Sequence, residues 1–317
     1  MTKALFFICI FASAAAFGQK VEYSLSIPGD TTQRYYITVI PEGMVVGSIL
    51  LLPGFGELPS QTLVESEIPM RASKAGYITI IPALGDWSFF YIDDDSHEKL
   101  RVFIDGIFSK YKLNEDTFFI GGHSFGGTMA MQYTRKAYSE KSLLKRPAGV
   151  FALDPPLDIE RLYDCMTTTN RPDKNPVSVQ EDNYVTNRIR QVFGTDPVSD
   201  REFFWKVSPY ANTDPAHASL KTLMNVPIRI YNEPDINWYI DNRHIDYRCI
   251  NAIDSAAMIN WLRARGNTKA ELVTTSGKGY RKTRNMRHPH SWSIADAGEL
   301  VAWLGVTSGL RTDEHGV

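Results

Sequence analysis

Cysteine is scarce in this chain, with three among 317 residues. Cys9 falls inside an apolar N-terminal run, which leaves Cys165 and Cys249. Neither has a second Cys or a His at zinc-ligand spacing, so no metal site is indicated. An excess of charge of either sign is also missing. Lys and Arg number 34 against 36 Asp and Glu, a formal net charge of -2. That balance gives no global attraction to nucleic acid or to an anionic membrane surface. Internal repeats are absent, and so are low-complexity tracts beyond the N-terminal run, which excludes solenoids and low-complexity arrays. The one long apolar run, 4–17, is too short for a comfortable membrane span, so no stable membrane insertion is expected.

That run follows Lys3, is rich in Phe, Ile and Ala, and closes on small residues. The pattern is that of a secretory signal peptide, 1–18, cleaved after Gly18 or alternatively after Ala16. Cys9 lies too early for a lipoprotein cleavage site. The mature protein is therefore expected to be secreted or periplasmic. In an oxidising compartment Cys165 and Cys249 could form a disulfide, but sequence does not separate that pairing from two buried thiols. Hydrophobic residues at 43% and charged residues at 22% describe an ordinary globular chain. Its length suits one large α/β domain or two small ones.

The informative stretch is 117–127, T-F-F-I-G-G-H-S-F-G-G. Thr117, Phe118, Phe119 and Ile120 suit a strand buried on both faces. Gly121 and Gly122 allow a tight turn, and helix formers follow from Gly127. Strand, sharp turn and helix around Gly122-His123-Ser124-Phe125-Gly126 is the setting of a nucleophile elbow, with Ser124 as the nucleophile. With this motif in that setting the sequence resembles the α/β-hydrolase family. The resemblance implies a mostly parallel central sheet with helices on both faces, no cofactor, and a site built from Ser, acid and His in that chain order.

Strands are expected at 21–27, 34–40, Gly47–Leu52, Tyr77–Pro82, Gly149–Leu153, 227–231 and 270–275, and helices at 63–75, 250–265 and 294–304. Asp93, Asp94 and Asp95 lack calcium-ligand spacing and precede a helix, whose positive end favours them. An aromatic cluster, 86–91, stands at the end of a strand, where it could border a ligand crevice or simply pack. From about 158 to 221 polar and proline-containing pieces alternate with short helices such as 185–193 and 201–207. That stretch is too long for an ordinary loop and reads as a cap over the active site. The hydrolase domain then covers 19–308 and a tail 309–317.

The family implies an oxyanion loop after the strand Gly47–Leu52. Here Pro53-Gly54-Phe55-Gly56 stands there, with Pro53 in the place of the usual His. The backbone N–H groups of Phe55 and Phe125 would bind the oxyanion. The resemblance puts the His between the last strand and the last helix, where His290, followed by Ser291 and Trp292, fits better than His288. The acid is expected after the strand 227–231, at Asp235, with Glu233 and Asp154 as alternatives. Lys278, Arg281, Lys282, Arg284 and Arg287 precede His290; the run is either solvated charge or a place for an anionic substrate. The expected activity is a serine hydrolase acting through an acyl-enzyme on a small-molecule ester or amide, a carboxylic ester above all. Two alternatives stay open. One is a peptidase of the same fold, with Glu181 and Asp182 available to a free amine; the other is a non-catalytic hydrolase-fold binding protein.

Overall fold

The computed structural model describes residues 19–25, 35–83, 92–168 and 175–310. The segment 1–18, read from sequence as a signal peptide, the aromatic cluster 86–91 and positions 311–317 of the expected tail lie outside the described residues.

Eight strands form one sheet: β1 (Lys20–Leu25), β2 (Tyr35–Ile40), β3 (Gly47–Leu52), β4 (Tyr77–Pro82), β5 (Phe118–His123), β6 (Gly149–Leu153), β7 (Ile228–Asn232) and β8 (Ala270–Thr274). Their order is β1-β2-β4-β3-β5-β6-β7-β8. β2 runs antiparallel to both of its neighbours, and every pairing from β4 to β8 is parallel. The central strands are fully buried because alternate side chains serve two cores. Leu50, Leu52, Phe118 and Ile120 face one layer, whereas Ile49, Leu51, Phe119 and Phe151 face the other. Reading those continuous apolar runs as doubly covered strands agrees with the structure.

Helices α1 (Pro59–Glu65), α2 (Ile68–Lys74), α3 (Asp94–Tyr111) and α4 (Phe125–Ala137) occupy the first half. One helix was expected at 63–75, and two are found. Ser66 is extended (φ -106°, ψ 133°), and Pro69 sits in the first turn of α2, where its missing N–H costs nothing. Asp93 caps α3 by accepting from the Ser96 N–H at 2.9 Å, in keeping with a helix-start reading of the acidic triplet.

Between β6 and β7 the chain inserts α5 (Ile159–Thr168), α6 (Pro176–Phe193) and α7 (Arg201–Val207), in the stretch read from sequence as a cap. Arg161 of α5 ties this insertion to Asp254 with two contacts of 2.6 Å. After β7 come α8 (Ile236–Arg243), α9 (Ala252–Ala264) and, beyond β8, a short hairpin of β9 (Tyr280–Arg281) and β10 (Met286–Arg287). The last helix is α10 (Ala297–Thr307), which starts later than expected because Asp296 caps it from the side chain. Cys165 and Cys249 form a disulfide with Cα atoms 5.5 Å apart. Of the two states left open by sequence, the bonded one is found. Among the described residues no helix is long and apolar enough to cross a membrane.

Candidate active site

The glycines expected to form the turn, Gly121 and Gly122, lie within β5 instead, and the turn falls on Ser124 itself. Ser124 has φ 55° and ψ -129°, a conformation that a non-glycine residue adopts only where its surroundings impose it. The imposition is visible on both sides. Ser124 N–H donates to the Leu153 carbonyl at 2.9 Å. A Cβ on Gly122 would lie 2.7 Å from the Gly126 and Leu52 oxygens, and one on Gly126 would strike the Pro53 carbonyl. The elbow and the loop after β3 are therefore pressed together, backbone on backbone, which only glycine allows. α4 begins at Phe125, the residue after the serine.

His290 stands in the loop before α10, and its Nδ1 lies 2.6 Å from Asp154 Oδ2. Asp154 directly follows β6. Its other oxygen accepts from Asn232 Nδ2 at 2.6 Å, its backbone N–H donates to the Tyr231 carbonyl at 2.8 Å, and its carbonyl accepts from Asn251 Nδ2 at 3.0 Å. A carboxylate against Nδ1 keeps the proton there and leaves Nε2 as the basic nitrogen. Ser124, His290 and Asp154 all line one cavity of about 850 Å³, together with Phe55, Phe125 and His123.

Asp235, the acid expected from sequence, does not meet His290. Its side chain caps α8 through the Trp238 N–H at 3.1 Å and pairs with Arg287 at 2.6 Å. Glu233 is turned away as well: the Lys278 and Gly279 N–H groups hold it at 2.8 and 2.9 Å, and Arg287 lies at 2.5 Å. Both carboxylates stabilise the loop that carries the His, so the expectation at Asp235 is corrected in favour of contact with Asp154. His288 is buried, its Nδ1 accepts from the His290 N–H at 3.1 Å, and its ring packs on Trp238. Burial, with Arg281, His290 and Arg243 nearby, pushes its imidazole far down and keeps it neutral.

Two residues near the serine escaped the sequence reading. Glu57 accepts from the Gly54 N–H at 2.9 Å and from the Trp292 indole at 2.8 Å, linking the loop after β3 to the loop of His290. Burial alone would raise its carboxyl, but the His123 ring and these N–H donors outweigh it and hold it below the ordinary value. His123 is wedged between His290 and Trp292, with ring centroids 4.4 and 5.3 Å away. Its Nδ1 is 3.9 Å from Glu57, beyond hydrogen-bond reach. No local signal marked Glu57, three residues past Gly54, or the residue just before the serine. Phe55 and Phe125 meet edge to face at 6.0 Å, and Tyr184 of α6 lies 5.6 Å from Phe55, so the insertion reaches over the loop. Glu181 also lines the cavity, but Arg243 at 3.1 Å already balances it. Among the described residues no group of three His, Cys, Asp or Glu could hold a metal.

The buried imidazoles set a pH dependence of stability. Burial and the nearby His290 push His123 down to about 4, and burial with Lys136 nearby does the same for His97. Unfolded, both would titrate near 6.5, so the unfolded chain binds more protons across that window. Stability is complete above pH 6.5 and falls as pH drops toward 4, by roughly 2 kcal/mol per imidazole at pH 5. Asp158 acts in the opposite sense, because burial beside Asp254 raises it to about 6 and favours the folded state on acidification. That offset is roughly 1 kcal/mol at pH 5. The urea midpoint should therefore fall between pH 7 and pH 5; a midpoint that rises would contradict the assignment of neutral, buried rings.

No family model and no curated protein matches this sequence. Solved structures do resemble it. A butyrate-bound esterase from Thermogutta terrifontis is 15% identical, with 94% of this chain and 97% of that one covered at a TM-score of 0.57. MPT51 from Mycobacterium tuberculosis is 16% identical over 92% of this chain and 99% of that one, at 0.54. A putative esterase from Staphylococcus aureus is 12% identical over 93% and 84%, also at 0.54. At such identity these likenesses speak to the fold, and the fold is that of the α/β-hydrolases.

Proposed function

We propose that this protein is a serine hydrolase that cleaves carboxylic esters through an acyl-enzyme. The observation that carries the reading is the 2.6 Å contact of His290 Nδ1 with Asp154, facing the same cavity as the strained Ser124. A serine hydroxyl is a poor nucleophile until a base removes its proton, and a base needs a partner that fixes its tautomer. In this reading Ser124 Oγ bonds to the ester carbonyl carbon while its proton passes to His290 Nε2. The carbonyl oxygen, now an anion, is received by the backbone N–H groups of Phe55 and Phe125, the latter at the positive end of α4. Collapse breaks the bond to the alcohol oxygen, which takes the proton from His290. Water then repeats the sequence on the acyl-serine and releases the acid.

The choice of esters over amides draws support from the esterase likeness in fold. Helices α5 to α7 act as the cap. Export is part of the same proposal: it is supported by the Lys3 and apolar 4–17 pattern and by the Cys165–Cys249 bond, which suits an oxidising compartment. The test is a fluorophosphonate probe with mass-spectrometric mapping of the adduct. Label on Ser124, lost in His290→Ala, is expected. A folded preparation that takes no label would favour a binding protein of the same fold.

A further inference from the structure

Arg243, Arg281 and Arg284 line the cavity that holds Ser124 and His290. They are close enough that Arg243 and Arg284 help burial to lower the Arg281 guanidinium from its ordinary value. Arg243 is answered by Glu181 at 3.1 Å. Arg281 is half-buried and donates from Nε and Nη2 to the His290 carbonyl at 3.3 and 3.1 Å, a neutral acceptor. Among the described residues no carboxylate lies within ion-pair distance of Arg281 or Arg284. The carboxylates of the lining are committed elsewhere: Glu57 to Gly54 and Trp292, Asp154 to His290 and Asn232, and Glu65 to the Lys282 and Thr283 N–H groups at 2.7 and 2.9 Å. Asp182 is buried on the cap. Arg281 therefore stands beside the base, and Arg284 is exposed on the same lining, with no carboxylate in ion-pair contact with either; Glu181 and Glu57 act on Arg281 only from farther away. The rest of the lining includes Leu162, Met166, Val177 and Val185, which suit a short hydrocarbon chain.

We propose that Arg281 and Arg284 form a subsite for a carboxylate carried by the ester substrate, so that esters bearing a free carboxylate are preferred to neutral esters of the same length. A planar guanidinium pairs with a carboxylate through two parallel hydrogen bonds, which gives orientation as well as attraction. This inference rests on the serine-hydrolase reading and deepens it.

The test compares kcat/KM for p-nitrophenyl butyrate with that for two anionic esters, mono-p-nitrophenyl glutarate and p-carboxyphenyl butyrate, the latter against phenyl butyrate. These place the carboxylate on the acyl and on the alcohol side. At least one anionic ester should be preferred. Arg284→Met should lower that preference about tenfold or more, as expected for loss of a hydrogen bond to a charged group. Added salt should raise KM for the anionic ester more than for its neutral counterpart. Preferences that neither the variant nor salt alters would overturn the subsite while leaving the hydrolase reading intact, provided Ser124 still takes the fluorophosphonate label. Absence of both label and neutral-ester turnover would overturn the hydrolase reading, and the subsite with it.

Discussion

Asp154→Asn should lower kcat on p-nitrophenyl butyrate roughly 10⁴-fold, the scale set by losing the correct tautomer of a catalytic His. The geometry says why. Asn232 Nδ2 already donates to Asp154 Oδ1, so an amide at 154 would keep its oxygen there and turn its NH2 toward His290. His290 Nδ1 would become the acceptor, its proton would move to Nε2, and the base facing Ser124 would be lost. Asp235→Asn provides the contrast. Asn caps helices about as well as Asp, so the contact with the Trp238 N–H survives and only the charge opposite Arg287 is removed. Its kcat should stay within about tenfold of the parent. Steady-state kinetics on both variants, with circular dichroism to show that each is folded, checks the assignment. A large loss in Asp235→Asn and a small one in Asp154→Asn would reverse it.

The second large effect concerns the disulfide. Cys165 on α5 and Cys249 in the turn before α9 are 84 residues apart, and both line the cavity. Closing a loop of that length removes conformational freedom from the unfolded chain worth about 4–5 kcal/mol in the chain-entropy picture. The Cys165→Ser/Cys249→Ser double variant should therefore unfold at a clearly lower urea concentration, and the parent should approach it when reduced. KM should rise as well, because the bond fastens α5, which lines the cavity, to the segment between α8 and α9. An oxidised parent no more stable than the variant would mean that the bond contributes nothing.

How much of this was legible in the sequence varies with the range of the interactions involved. β3, β4 and β6 were readable to the residue, because a strand covered on both faces writes itself as an unbroken apolar run. That Ser124 and His290 would share one cavity was readable because each is marked by its neighbours, the flanking glycines in one case and the start of the last helix in the other. The acid was not. Asp154 and Asp235 both follow a strand, and what separates them is where the loop of His290 descends. Arg287 from that loop binds Glu233 and Asp235, and His290 then reaches across to the end of β6. Glu57 and Arg243 were missed for a related reason: their partners, Trp292 and Glu181, lie far away in sequence. The break between α1 and α2 carried a local mark in Pro69, but the apolar pattern running through it suggested one helix.

The most direct test of the central claim is a stopped-flow measurement with p-nitrophenyl butyrate, paired with intact-protein mass spectrometry on the quenched reaction. An acyl-enzyme that forms faster than it is hydrolysed predicts a burst of nitrophenolate stoichiometric with enzyme and a mass increase equal to one butyryl group on Ser124, both absent in Ser124→Ala. Turnover that persists in Ser124→Ala, with no burst and no acylated protein, would contradict the account.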